Sequence, residues 1–308
     1  MSLLRSLFIA LSHHRTLRRF CEASSLGVKL SSRFVAGREI ADAIRVAEDV
    51  NRQGIAVTID SLGESVTSET EAHQAAEIYH QLLDMIAARK LKANISVKLT
   101  QMGLEISPEL AESIALSLAQ HANSAGSFVR IDMEDSSLTQ VTLDIVRRIH
   151  ARPGLRDSIG VVIQAYLYRS QADVEQLLAD GIRIRLCKGA YKEPPEVAFP
   201  RKSDVDANFV KLGNRLLESP YYNALATHDE AMIEAAKSYV RANQIGPSRF
   251  EFQMLYGIKR DLQRALVREG YNVRVYVPFG TDWYPYFMRR LAERPANVIF
   301  LARNFFRS

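Results

Sequence analysis

Residues 160–188 read GVVIQAYLYRSQADVEQLLADGIRIRLCK. A β-rich run over 160–166 is followed by a helical pattern over 170–180, a glycine at position 181 and a second β-rich run over 182–187. A strand, a crossover helix and another strand in about thirty residues make a βαβ unit, whose two strands lie parallel in one sheet.

The same alternation continues on both sides. Further β-rich runs at 55–60, 94–99, 128–132, 224–227, 250–254 and 273–277 bring the number to eight. Helical periodicity fills 69–90, 108–123, 138–151, 203–218, 229–242, 258–269 and 282–294. Eight strands with crossover helices close a barrel, so the expected fold is α/β, a (β/α)8 TIM-type barrel with extra N-terminal helices. Ser107 ahead of Pro108, and Ser203 ahead of Asp204 and Asp206, read as helix N-caps. Gly54, Gly181 and Gly270 stand where helices end shortly before strands. No Pro- or Ser-rich linker separates residues 1–50 from the rest, so they are expected to form a helical cap on a barrel spanning 51–308, in a single globular unit.

Composition narrows the function classes. With 308 residues, 47% of them hydrophobic and 24% charged, the chain can bury a large core and is not of disordered composition. The net charge of +5 comes from 40 basic residues scattered among 35 acidic ones, a distribution that does not suggest nucleic-acid binding. Cys21 and Cys187 have no C-x-x-C or metal-ligand neighbours, so neither a disulfide framework nor a metal site is expected and a reducing cytoplasm fits. Residues 1–20, MSLLRSLFIALSHHRTLRRF, lack a signal-peptide cleavage site and are too short an apolar run to cross a bilayer. Leu4, Leu7, Phe8 and Leu11 share one helical face, with Arg15, Arg18 and Arg19 following. That pattern fits a helix packed on the body or a peripheral contact with the inner face of a membrane.

Barrel chemistry sits at the C-terminal ends of the strands. Seven of the runs end there in polar residues: Lys98, Asp132, Gln164, Arg185 with Lys188, Thr227 with His228, Gln253, and Tyr276. In the last helical segment Tyr286, Arg289, Arg290 and Glu293 fall on one face. Because this segment follows the eighth strand, its arginines are placed near the barrel mouth, where guanidinium groups can grip a carboxylate. There is no G-x-G-x-x-G after a strand, no Walker A loop, no G-x-S-x-G elbow and no H-E-x-x-H helix. Lys98 or Lys188 could still serve as a Schiff-base lysine of an aldolase.

The motifs SVKLT around Lys98, IDMED around Asp132, VIQAY around Gln164, RLCKGAY over 185–191, ATH ending at His228, EFQMLYG over 251–257 and YPYFMRRLAE over 284–293 together resemble the proline dehydrogenase family. The resemblance implies flavin-dependent oxidation of L-proline to pyrroline-5-carboxylate, the first step of proline catabolism, by hydride transfer to noncovalent FAD, with electrons passed to a membrane quinone. It implies that Met133, Gln164, Arg185, Lys188, Gly189, Ala190, Thr227 and His228 line the FAD. It implies that Arg289 and Arg290 hold the proline carboxylate, with Glu293 pairing to Arg289 and Lys98 near the substrate. Asp132 and Arg185 would organise the catalytic centre, and Tyr276 would close the pocket over the ring. Lys98 with a depressed pKa and solvent water are the two candidates for the proton released from the amine. Tyr286, with Tyr276, would bear on a preference for hydroxyproline or another cyclic amino acid. The monofunctional form is expected, and TIDSLGE in the first strand carries no catalytic assignment for Asp60 or Glu64.

Overall fold

In the first strand, β1 (Ala56–Ser61), Val57 and Ile59 alternate with Thr58 and Asp60, and all four are buried. Burial of both faces is what a parallel sheet covered by helices produces. The computed structural model describes residues 31–191 and 193–293, the last three by their backbone alone. The amphipathic stretch 2–20, Cys21 and the side chain of Glu293 lie outside the described residues.

Seven more strands follow: β2 (Ala93–Val97), β3 (Val129–Ile131), β4 (Ile159–Gln164), β5 (Arg183–Cys187), β6 (Asn223–Ala226), β7 (Phe250–Leu255) and β8 (Asn272–Phe279). They form a closed parallel barrel in sequence order, with β8 pairing to β1 from Ala56 opposite Arg274 to Ser61 opposite Phe279. The expected strand boundaries lie at most two residues from the observed ones.

The crossover helices are α2 (Glu69–Ala88), α3 (Pro108–Ser124), α4 (Thr139–His150), α5 (Ser170–Ala179), α6 (Lys202–Glu218), α7 (Glu230–Ala242) and α8 (Arg260–Arg268), with α1 (Ile40–Asn51) before the barrel and α9 (Trp283–Glu293) after it. Ser107 caps α3 as expected, accepting from the backbone N–H of Glu109 and Leu110. The cap of α6 is Arg201 rather than Ser203. Arg201 reaches forward to Asp204, and the Ser203 hydroxyl bonds that same carboxylate instead of a backbone N–H. Gly181 takes φ +79° between α5 and β5, a left-handed turn that a side chain would oppose.

Outward strand residues such as Val57, Ile59, Ile95, Val97, Val129 and Ile131 pack with Leu82, Leu83, Leu118 and Val146 of the helices, so the main apolar core lies between barrel and helix ring. The lumen is polar. Arg274 of β8 donates across it to Asn94 of β2 at 2.9 Å and pairs with Glu251 of β7 at 2.7 Å, while Thr58 donates to Asn94 at 2.7 Å.

The first and last described helices close the ring in an unusual order. Helix α1 buries Ala43, Ile44, Val46, Ala47 and Val50 and packs on β1 and β8, where the helix after the eighth strand would otherwise lie. Helix α9 instead joins a second apolar cluster, in which Trp283, Tyr284, Tyr286, Phe287 and Met288 meet Phe34, Val35 and Leu62. Leu62 follows β1 at the mouth, so α9 is seated beside the C-terminal ends of the strands. Among the described residues no helix is long and apolar enough to cross a membrane.

Candidate active site

Asp132, at the end of β3, is the hub of the upper lumen. Its Oδ1 accepts from Ser96 at 2.7 Å and from Arg185 Nη1 at 2.8 Å, and its Oδ2 accepts from the Tyr276 hydroxyl at 2.9 Å. Three elements opposite or beside β3 are thus tied to one carboxylate. The guanidinium of Arg185 also lies 5.5 Å from the centre of the Tyr276 ring. Burial lifts the Tyr276 phenol well above its ordinary value and the Asp132 and Asp60 carboxylates add to the lift, so the hydroxyl is a neutral donor. Arg185 is 5% exposed, and its Nε and Nη2 are buried with no hydrogen-bond partner among the described residues. A guanidinium satisfied on one edge and bare on the other is costly unless something else approaches the bare edge.

Lys98, just beyond β2, points at Asp60 of β1, with Nζ 3.4 and 3.3 Å from its two oxygens. Burial pulls this ammonium down, but the carboxylates of Asp60, Asp132 and Glu64 outweigh it and leave the pKa above the ordinary lysine value. This corrects the expectation of a depressed lysine: Lys98 holds its proton and is neither a proton acceptor nor an amine nucleophile. Lys188 is likewise held between Asp206 at 2.5 Å and Asp229 at 2.8 Å. The aldolase reading therefore loses Lys98, whose pKa is moved up rather than down.

The rim beyond β4–β7 gathers the remaining residues. Gln164 donates to the carbonyl of Glu134 at 2.8 Å, and Met133 is buried next to that residue. Two of the three ammonium donors of Lys188 are taken by its carboxylates. The next residue, Gly189, has φ +115°, and a Cβ there would come within 2.5 Å of the Tyr166 ring. Thr227 Oγ1 accepts from the N–H of Asp229 at 3.1 Å. His228 Nε2 accepts from the N–H of Leu255 at 2.8 Å, which puts the proton of the neutral ring on Nδ1. Gly189 and Ala190 lead into Tyr191, whose phenol is raised by burial and feels Glu64, Glu134, Lys98 and Arg289.

On α9, Arg289 pairs with Glu64 at 3.0 Å, and the Arg290 guanidinium lies 5.0 Å from the centre of the Tyr286 ring. Arg289, Lys98 and Tyr191 share Glu64 as an electrostatic neighbour, so the arginine face of α9 looks onto the barrel mouth. Among the described residues Arg289 pairs with Glu64, on the loop after β1.

A model of the family described as Proline dehydrogenase matches residues 43–303. The chain belongs to that family. It is 44% identical over 302 residues to Proline dehydrogenase 1 of Bacillus subtilis (strain 168), covering 98% of each chain. It is 42% identical over 280 residues to the Proline dehydrogenase of Deinococcus radiodurans, covering 89% of each. Among solved structures, proline utilization A from Bdellovibrio bacteriovorus inactivated by N-propargylglycine matches with a TM-score of 0.80 and 28% identity, over 86% of this chain and 32% of that one.

Within this proline dehydrogenase family member the structure brings Lys98, Asp132, Arg185 and Tyr276 into one lumenal group, sets Gln164, Lys188, Thr227 and His228 along the adjoining rim, and lays Arg289 and Arg290 across the mouth. Sequence reasoning missed Asp60, Glu64, Ser96 and Tyr191. Asp60 carried the same signal as the others, a polar residue closing an apolar run, and RLCKGAY already contained Tyr191. Glu64 and Ser96 carried none.

Proposed function

We propose that this chain is a proline dehydrogenase that oxidises L-proline to pyrroline-5-carboxylate, with FAD as hydride acceptor and a quinone receiving the electrons. The observation that carries the reading is Arg185, fixed by Asp132 along one edge with Nε and Nη2 buried and, among the described residues, unpartnered along the other. Such an edge suits the pyrimidine side of an isoalloxazine, which presents acceptors in a plane. FAD bound there would supply a two-electron acceptor and a site for the hydride. Met133, Gln164, Arg185, Lys188, Gly189, Ala190, Thr227 and His228 would hold it.

The chain's own contribution is binding and orientation. Arg289 and Arg290 fasten the substrate carboxylate, and Lys98 adds a fixed positive charge on the same side. A zwitterion held by its carboxylate presents its ring in one pose, which converts an encounter into an effectively unimolecular step. Asp132 keeps Arg185 and Tyr276 aimed. The amine proton leaves to solvent water, since Lys98 is already protonated. The chain is read as cytoplasmic, with residues 2–20 as its peripheral contact with the membrane that holds the quinone; of the expected 1–50 cap, the part in α1 packs on the barrel wall instead. A yellow preparation whose flavin absorbance bleaches on addition of L-proline is the expected result. A colourless protein that takes up no added FAD would refute the reading.

A further inference from the structure

Ser96 is a fully buried residue of β2, opposite Arg130 of β3 in the sheet. Its hydroxyl has one proton to give and lone pairs with which to accept. The proton goes to Asp132 Oδ1 at 2.7 Å rather than to the carbonyl of Arg130 at 3.4 Å. A lone pair then accepts from Arg185 Nη1, which arrives from across the lumen at 3.2 Å. Because Nη1 also reaches Asp132 Oδ1 at 2.8 Å, the three polar atoms close a triangle.

The triangle fixes an orientation as well as a position. Both hydrogens of a guanidinium nitrogen lie in the plane of the group. Held by one acceptor, a guanidinium can swivel about that bond, whereas two acceptors on one nitrogen are served together only when the plane passes close to both. The Tyr276 ring flanks Arg185 at 5.5 Å and turns its hydroxyl to Asp132 Oδ2, so it sets no second point in that plane. Ser96 does. With Nη1 fixed in this way, Nε and Nη2 present parallel N–H groups along the edge that meets no acceptor among the described residues.

We infer that Ser96 is a positioning residue whose hydroxyl sets the plane of the Arg185 guanidinium, so that the Nε and Nη2 edge faces the flavin ring. This rests on the proposed reading of that edge. A flat ligand with acceptors along one side gains both hydrogen bonds only from a donor pair lying in its own plane, so a tilt of the guanidinium weakens both at once. The same tilt takes positive charge away from a ring that gains electrons on reduction.

The test reads the flavin rather than turnover. The midpoint potential of the purified flavin-loaded protein, and its FAD dissociation constant from the flavin released on dilution, are measured for wild type, Ser96→Ala, Ser96→Thr, Arg185→Lys and the double variant that joins Ser96→Ala to Arg185→Lys. Ser96→Ala should weaken FAD binding roughly 2- to 10-fold, the range of one net hydrogen bond, and move the potential to more negative values. Ser96→Thr keeps the hydroxyl and should stay near wild type. A lysine has no plane to set, so adding Ser96→Ala to Arg185→Lys should change neither quantity further. The inference is overturned if Ser96→Ala leaves both quantities at their wild-type values, or if it moves them as far in the Arg185→Lys protein as in wild type. If Ser96→Ala does not fold, Ser96→Cys decides the matter: its thiol is close in size but a weak hydrogen-bonding group, so it should give the same changes, and wild-type values overturn the idea. If wild type itself takes up no FAD, the proposed function is refuted. Crystal structures of wild type and Ser96→Ala then decide whether the hydroxyl sets the guanidinium plane, and an unchanged plane overturns that role.

Discussion

Arg290 is 9% exposed against the Tyr286 ring, so replacing it with methionine keeps most of the apolar stem while deleting the guanidinium. A hydrogen bond to a charged group contributes about 1.5–3 kcal/mol, so Arg290→Met should raise the KM for L-proline roughly 10- to 100-fold with FAD still bound. Lost flavin with an unchanged KM would contradict the assignment. Glu64→Gln should act more mildly. Its pair with Arg289 is more than a third exposed on both sides, and such pairs are worth at most about 1 kcal/mol, less than tenfold in KM. A larger rise would mean that Glu64 does more than steady Arg289. The site was legible in sequence wherever an ionisable residue closed an apolar run, as at Lys98, Asp132 and Arg185. What sequence could not say is which of them meet across the lumen. That depends on strand tilt and stagger, and it decided that Lys98 faces a carboxylate and stays charged. Ser96 is a small neutral hydroxyl inside a strand, and Tyr79 sits on the apolar face of a helix, where an aromatic residue reads as core.

At the scale of elements, α3 begins as its sequence demands. Removing the Ser107 hydroxyl leaves the N–H groups of Glu109 and Leu110 without their acceptor, so Ser107→Ala should lower unfolding free energy by about 1 kcal/mol in urea titrations, with activity intact. Ser203→Ala, at the other expected cap, should cost little, because α6 starts at Lys202 and the Ser203 hydroxyl holds no backbone N–H. Equal losses at the two serines would show the capping assignment to be wrong. The two cases also explain what local sequence can decide. Proline at the first helical position fixes where α3 starts, whereas Arg201 could reach forward to Asp204 and begin α6 two residues earlier than the serine suggests. The places of α1 and α9 were beyond local reading altogether. Both are amphipathic helices next to the barrel, and the choice of wall or mouth follows from which apolar surface each meets, β1 and β8 for α1 and the Phe34–Leu62 cluster for α9.

Across the whole molecule, alternation of strand and helix was enough to imply a barrel, but the polar filling of its lumen was not foreseen beyond the strand ends. Below the substrate level, Glu251 and Arg274 form a buried pair at 2.7 Å, joined by Gln253 at 2.5 Å, Tyr222 at 3.2 Å and Asn94 at 2.9 Å. Burial raises the Glu251 carboxyl, but Arg274 outweighs it and holds the pKa below the ordinary value of 4.5. A carboxyl depressed on folding stabilises fully above its unfolded pKa, and that contribution is lost as pH falls through the folded one. Stability should therefore decline from about pH 5 downward, with Asp206 and Asp229, lowered mainly through Lys188, adding to the slope. The lumenal share can be isolated. Glu251→Gln should cost about 3–5 kcal/mol at neutral pH, because it strands the Arg274 guanidinium inside the barrel. It should also flatten the acid slope. Adding Arg274→Met should recover much of the loss, since a barrel interior tolerates apolar filling better than one unpaired charge. Urea titrations of the four proteins at fixed FAD concentration, at pH 7 and pH 4, close the cycle. If the double variant is as unstable as the sum of the singles, or if Glu251→Gln keeps the full acid slope, the pair is not the charge balance on which this lumen depends.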